Sequence, residues 1–395
     1  VAINGTLVLL PAGGLIKDLK KKITAWCRRW GTWTIVIGSV SLPAYGDQKS
    51  SSSTTGSPKL EMGGAVNKAH VKFGEGLLLK MSGSSVDVDI EDDKPNKLNP
   101  LQADWRGKSF EEADCKWLGR QTTFRSLRLG GSNLKDDCFT HLKNMHSLIQ
   151  IDISHTQVTY KVLDVFKAFP HLEVLNVDSI DLSKSDCQPF RELKELRDLD
   201  ISETRITDKG IDLLTELPKL ERLRMTVLEL PESACKTLGK MKHVKNLDLW
   251  RSKIGDRDVA FVAHLTGLKE LHLANTFITD RALPNVAHCQ GLENLDLSYN
   301  PQITDAGMLN LRELKHLRCL NLGGTGITKK TLKILSNFSD LEELRLQNTA
   351  IDDSRLAELQ KLKHLRYVLL KGSMVTLKGA DQLKQWLPDV KVRLN

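Results

Sequence analysis

LHLANTFITDRALPNVAHCQGLEN, residues Leu271–Asn294, is the pattern in which nearly the whole chain is written. An alternating Leu-x-Leu is followed three residues on by Thr, then by Ile-Thr-Asp, then by a helical run that ends in another Leu. The first Leu of the pair recurs at Leu127, Ile151, Leu175, Leu199, Leu223, Leu247, Leu271, Leu295, Leu320, Leu344 and Val368. The spacing is 24 residues throughout, with one of 25 between Leu295 and Leu320. Self-similarity at such a period marks a solenoid, in which each repeat buries its apolar face only against its neighbours.

Within a repeat the alternation predicts a short strand, and Ile-Thr-Asp predicts a helix start with Thr as N-cap. Asp208, Asp256, Asp280 and Asp305 then fall in the first helical turn, where the helix dipole favours a carboxylate. Asp305–Lys315 is expected to be helical, with Met308, Leu311 and Leu314 on one face. Strand, turn, helix, turn in constant order gives an α/β fold, a right-handed horseshoe with a parallel sheet on the concave side and helices on the convex side. Two repeats depart from the rule. Tyr299-Asn300-Pro301-Gln302 contains the extra residue, so a small bulge is expected there, with Asn300 in the place of Thr. The repeat at Leu223 has Leu228, Leu230 and Pro231 where Thr and Ile-Thr-Asp belong, so its helix is expected to start late or be short.

Counting back by 24 lands on Ala103, with Trp105 and Phe110 following at places that call for large apolar residues. A further step back aligns Leu79–Val86 with Leu127–Leu134. This reading gives an N-terminal cap over residues 63–126 with two degenerate repeats, regular repeats over 127–386 and a capping strand over 387–395. Val66–Phe73 is expected to add a shielding strand. Ser109 with Glu112 is expected to form a capping box for a helix through Leu118. The acidic run from Asp87 to Asp93 lacks the spacing of a calcium loop and reads as a solvated loop.

Residues 1–46 read as an export leader. Cations at Lys20–Lys22, Arg28 and Arg29 precede the apolar run Thr32–Leu42, and small residues flank a cleavage site after Gly46. The run is short for a bilayer span, so the mature form is expected to have none; retention as an anchor is the alternative. Residues 47–62 are Ser-rich and read as a flexible linker.

The net charge of +8 is concentrated in the leader, where six cations against Asp18 account for five of the eight. The rest mixes both signs without a basic stripe, which argues against a nucleic-acid partner. Of seven cysteines, none form Cys-x-x-Cys pairs. Cys115, Cys187 and Cys235 share one place in their repeats, a place elsewhere taken by Leu or Ile, and read as small core residues. Cys115 and Cys138 lie almost one repeat apart and can bridge in an oxidising compartment if the geometry allows.

The residues between the paired leucines face the hollow: Arg128, Asp152, Asn176, Asp200, Arg224, Asp248, His272, Asp296, Asn321 and Arg345. No two acids are adjacent in this order, so the ladder is expected to satisfy its own charges. A sharper alternative makes Asp248, His272 and Asp296 a metal or acid–base site, which a shallow surface disfavours. Trp250-Arg251 stands where other repeats carry small or polar residues, and Arg222, Arg224 and Tyr299 fall on the same surface. Trp, Arg and Tyr are the residue types that most often anchor interfaces. The expected partner site is therefore Trp250, Arg251, Arg222, Arg224, Asp248, His272 and Tyr299. No catalytic motif, phosphate loop or dinucleotide fingerprint occurs, so no catalytic residue, cofactor or metal is expected. His171, His243, His316 and His364 read as turn or surface residues.

Ser202–Ile211 and Ile303–Met308 resemble the leucine-rich repeat superfamily, in the subclass reading L-x-x-L-x-L-x-x-T-x-I-T-D-x-G-L. That form is seen in F-box-type repeats and in many secreted bacterial proteins. The resemblance covers residues 79–392 and implies binding of a protein or peptide on the concave sheet. No F-box precedes the array, and the leader fits the bacterial form, secreted, periplasmic or at the cell surface, acting as a monomer. An intracellular adaptor whose leader is misread, and a surface carbohydrate or metal binder using the Asp and His ladder, are the alternatives.

Overall fold

Three residues of each repeat are extended, and each such strand pairs in parallel with the equivalent residues 24 or 25 positions away. The computed structural model describes residues 102–394 continuously and, before them, the backbone of Ala2–Ile3, Thr6–Leu7, Ala69–Phe73, Leu77–Ser82 and Ser85–Asp89. The chain divides into a unit of Val1–Lys97 and a unit of Leu98–Asn395. The export leader, its cleavage site and the Ser-rich linker lie outside the described residues, save for the short antiparallel pair Ala2–Ile3 with Thr6–Leu7.

The second unit is built on one sheet of thirteen strands in strict sequence order, from Gln102–Asp104 to Lys391–Arg393. Register follows the repeat without a slip: Leu247 lies between Leu223 and Leu271, and Leu271 between Leu247 and Leu295. Strands stack about 4.8 Å apart whereas helices are about 10 Å across. The sheet therefore takes the inner side of the curve and the helices the outer.

The core is a column of Leu, Ile and Val. In the repeat at Leu247, Leu247, Leu249, Ile254, Val259, Val262, Leu265 and Leu268 are all buried. Full burial of each such side chain contributes about 1.5–3 kcal/mol. Phe139, Phe166 and Phe169 add an aromatic cluster with ring centroids 5.7–6.5 Å apart. Cys187 and Cys235 are buried in this column, as their shared place in the repeat implies. Cys115 has a further role, since it is disulfide-bonded to Cys138 with the Cα atoms 5.0 Å apart. His171, His243, His316 and His364 are exposed in turns.

Several expectations need correction. Leu79 does not begin a repeat. It lies on Leu77–Ser82, which pairs antiparallel with both Ala69–Phe73 and Ser85–Asp89 in a separate three-stranded sheet. Antiparallel pairing removes this segment from the parallel register. Asp87 and Asp89 accordingly belong to a strand, not a loop. The repeats of the parallel sheet thus begin at Ala103, where Trp105 and Phe110 pack on the core as expected.

The helix at Glu112–Leu118 is capped by Glu111, whose N–H donates to the Asp114 carboxylate at 3.0 Å. Ser109 instead accepts from the Asn133 side chain at 3.1 Å. The helix following Leu223 is neither late nor short. It spans Glu232–Leu238, in register with Asp208–Leu214 of the preceding repeat. Pro231 at the N-cap, with φ −69° and ψ 157°, has no N–H that needs a partner there. The helix from Asp305 is shorter than expected, α over Asp305–Met308 and 3-10 over Leu309–Leu311, yet Met308, Leu311 and Leu314 are all fully buried. Asp258–His264 and Asp353–Lys361 are wholly 3-10. A 3-10 segment rises about 2.0 Å per residue against 1.5 Å in an α-helix, and so crosses the outer side with fewer residues.

One backbone feature recurs in every repeat. The fourth residue after the central strand position is left-handed twelve times, from Gly107 through His155, Glu203, Arg251 and Tyr299 to Gly372, with φ between 52° and 70°. This residue turns the chain off the sheet after the strand and throws its side chain outward. Asn300, in the repeat with the extra residue, replaces Thr faithfully. Its amide donates to the Leu273 and Leu297 carbonyls at 2.8 and 2.9 Å, where Thr276 donates to Leu273 with its hydroxyl.

Candidate functional site

Residues flanking each central Leu face away from the core, so Asp104, Arg128, Asp152, Asn176, Asp200, Arg224, Asp248, His272, Asp296, Asn321 and Arg345 form one row in register. Much of the row's chemistry is structural. Asp152, Asp200, Asp248 and Asp296 each accept from the backbone N–H two residues on, at 2.8–3.0 Å. Asn176 and Asn321 do the same. These side chains close the turn that ends each strand, as Asp and Asn do in Asx turns.

The expected site residues fall on four adjacent strands. Arg222 and Arg224 are committed to acids of the preceding strand. Arg222 bonds Asp198 at 2.7 Å, and Arg224 bonds Asp200 at 2.9 Å and Asp198 at 3.2 Å. Burial works against the charge on Arg224, but Asp200 and Asp198 outweigh it and its pKa is raised. Both arginines therefore support the sheet and do not present a free fork. His272 bonds Glu270 on its own strand at 2.8 Å. Asp296 accepts from Asn321 at 2.9 Å. Asp248, His272 and Asp296 thus do not converge, and no group of three or more possible metal ligands occurs among the described residues.

Trp250 and Arg251 follow Asp248 directly. Trp250 N–H donates to Asp248, and the Arg251 guanidinium carbon lies 5.0 Å from the Trp250 ring centroid. Trp250 is 40% exposed although its neighbours in the sheet are the small Thr226 and Ala274. Burial pushes the Asp248 carboxyl above its usual range, against the Trp250 N–H bond and the nearby His272 and Arg224. Tyr299, 51% exposed, occupies the left-handed position two repeats on, with φ 59°. A Cβ on Gly324 would come within 3.0 Å of its ring, so the ring rests on bare backbone of the next repeat.

Phe277 completes the run and was not expected from sequence. It stands on the repeat between, is 71% exposed, and bonds by its N–H to the Ile254 carbonyl. The signal was available in register: Gln157, Asp181, Arg205, Glu229 and Lys253 hold the same place, immediately before the Ile of Ile-Thr-Asp. Three successive repeats therefore expose Trp250, Phe277 and Tyr299 in the segments that follow their strands, Phe277 lying beyond the left-handed Asn275 and bridged to Gly255. A surface hollow of about 640 Å³ among Thr140, His141, Lys143, Asp164, Val165 and Lys167 lies on the helical side and holds none of the expected residues. Among the described residues no helix is long and apolar enough to cross a membrane.

A leucine-rich repeat family model matches residues 194–214 and 288–311. No curated protein matches the chain by sequence. Among solved structures, an internalin of Listeria monocytogenes is similar with a TM-score of 0.51 and 18% identity, over 73% of this chain and 84% of that one. A leucine-rich repeat protein of Leptospira interrogans has a TM-score of 0.35 at 16% identity, over 76% and 97%. Internalin C2 of Listeria monocytogenes has 0.39 at 23%, over 54% and 84%. The first likeness is one of fold, and the other two carry no argument. With thirteen parallel strands in sequence order, a 24-residue period and matched repeat segments, the chain has the fold of a leucine-rich repeat α/β solenoid.

Proposed function

We propose that the chain is an exported, non-enzymatic binding module that takes a protein or peptide on the concave side of its sheet. Contact centres on the rim of Trp250, Arg251, Phe277 and Tyr299, with Asp248 and His272 beside it. The observation that carries this reading is the exposure of three large aromatics on three successive repeats. Soluble surfaces rarely group such residues without a partner, and aromatic and Arg side chains dominate interface energetics. The scaffold beneath is a continuous hydrogen-bonded parallel sheet, so little ordering is lost on binding. Export is supported by the Cys115–Cys138 disulfide, since such bonds persist in oxidising compartments. A secreted, periplasmic or surface location follows from the same reading.

Crosslinking capture from the native source, with Trp250→Ala and Phe277→Ala as controls, tests the site. Both variants should lose the partner while their melting temperature stays within a degree or two of wild type. Undiminished capture by both rejects the rim. Sequencing the N-terminus of the mature protein tests export: a start at Asp47 supports it, and an intact leader in the cytosol refutes it.

A further inference from the structure

The three repeats that expose the aromatics carry acid but no Lys or Arg at their outward strand positions. On Asn246–Asp248, Glu270–His272 and Asn294–Asp296 the residues facing out are Asn246, Asp248, Glu270, His272, Asn294 and Asp296. That is three carboxylates and no Lys or Arg. Elsewhere on the sheet the acids are answered, save Asp152, which is bonded to Ser154. Asp198 and Asp200 have Arg222 and Arg224, and at the strand entrances Glu221, Glu293 and Glu342 pair with Lys245, Lys269 and Arg318 at 2.7–2.9 Å.

Asp248 and Asp296 make no ion pair with Lys or Arg among the described residues. One oxygen of each closes its own turn, the second oxygen of Asp296 takes a neutral amide, and that of Asp248 has no hydrogen bond. Arg251 leans on Trp250 and the fork of Arg224 is spent on Asp198 and Asp200. A local acidic excess thus lies against an apolar rim, in a chain whose net charge is positive.

Resting on the binding reading above, we propose that the segment bound over these three repeats is a cationic peptide. Its Lys or Arg side chains reach Asp248 and Asp296, and its apolar residues lie on Trp250, Phe277 and Tyr299. An acidic segment would meet three carboxylates and one base, Arg251, which is stacked on Trp250, and a purely apolar one would leave two half-buried carboxylates without replacement for water.

The test is selection of a displayed library of random peptides on the full chain, followed by fluorescence anisotropy of the selected peptides. Three proteins are compared: wild type, Trp250→Ala with Phe277→Ala, and Asp248→Asn with Asp296→Asn. The Asn pair keeps each strand-ending turn, because the amide oxygen still accepts the same N–H. Selected peptides should be rich in Lys and Arg, bind at least tenfold more weakly to the Asn pair, and weaken as salt is raised. Neutral or acidic selected peptides, or affinity unmoved by the Asn pair, overturn the proposal. Loss with the aromatic pair alone leaves the site and removes its charge preference; no loss with the aromatic pair removes the site itself. A library that yields no binder counts against both.

Discussion

Val227 occupies the left-handed backbone position that each repeat requires, with φ 58°. For a β-branched residue this conformation is an outlier, and the left-handed region costs about 1–2 kcal/mol outside Gly. Asn275 and Asn348 take the same position in other repeats at φ 54°, and Asn tolerates it through local hydrogen bonding. Val227→Asn should therefore raise the unfolding free energy by about 0.5–1 kcal/mol after the loss of some apolar contact, seen as a higher denaturant midpoint with an unchanged slope. An unmoved or lowered midpoint would show that packing of Val227 outweighs the strain. The twelve-fold recurrence of this position was legible in part. Gly131, Asn275, Gly324, Asn348 and Gly372 all stand there and all favour positive φ, but Tyr299 and Val227 conceal the requirement.

At the scale of elements, the Ile-Thr-Asp motif does more than start a helix. Thr207, Thr279, Thr304 and Thr376 cap their own helices as expected. The Asp that follows reaches forward instead, and accepts both the N–H and the hydroxyl of the next repeat's Thr. Asp136, Asp256, Asp280, Asp305 and Asp353 hold Thr159, Thr279, Thr304, Thr328 and Thr376 in this way at 2.6–2.9 Å. Asp256 in fact precedes its 3-10 helix, so the bond to the next repeat, not the helix dipole, explains it. Asp208 meets Pro231 in the next repeat, which offers no N–H, and takes the Ser233 hydroxyl instead. Asp305 also receives Thr331. Asp305→Ala should cost about 2–3 kcal/mol by leaving these donors unpaired.

Burial raises the Asp305 pKa, but its bonds to Thr331 and Thr328 outweigh that and the net shift is down. A lowered folded value contributes stability above the unfolded pKa of about 3.9. That contribution is lost as pH falls through the lower folded value. Acid unfolding of Asp305→Asn should accordingly be shallower than that of wild type below pH of about 4. An identical acid limb would remove the carboxylate from the account.

For the molecule as a whole, each repeat is stabilised only by its neighbours, so local damage should stay local. The Cys115–Cys138 bond joins the helix Glu112–Leu118 to Asp136–Thr140 at the start of the described array. Cys115→Ser with Cys138→Ser should cost about 2–4 kcal/mol. Hydrogen exchange should rise over residues 105–145 and stay unchanged over 247–369. A uniform rise along the array would mean that the solenoid unfolds as one unit.

The sequence by itself determined the repeat, its register, the core positions and the strand-facing ladder, because in a solenoid every neighbour lies one period away along the chain. It also pointed to Trp250, Arg251 and Tyr299, which break the pattern openly. Tertiary structure alone decided the rest. Antiparallel pairing took Leu79 out of the array. Hydrogen bonds between repeats tied Arg222 and Arg224 to Asp198 and Asp200 and gave Asp its second partner. The left-handed turn set Tyr299 outward onto Gly324. These outcomes depend on where side chains meet across layers, and a period fixes which layers touch without fixing which polar atoms pair.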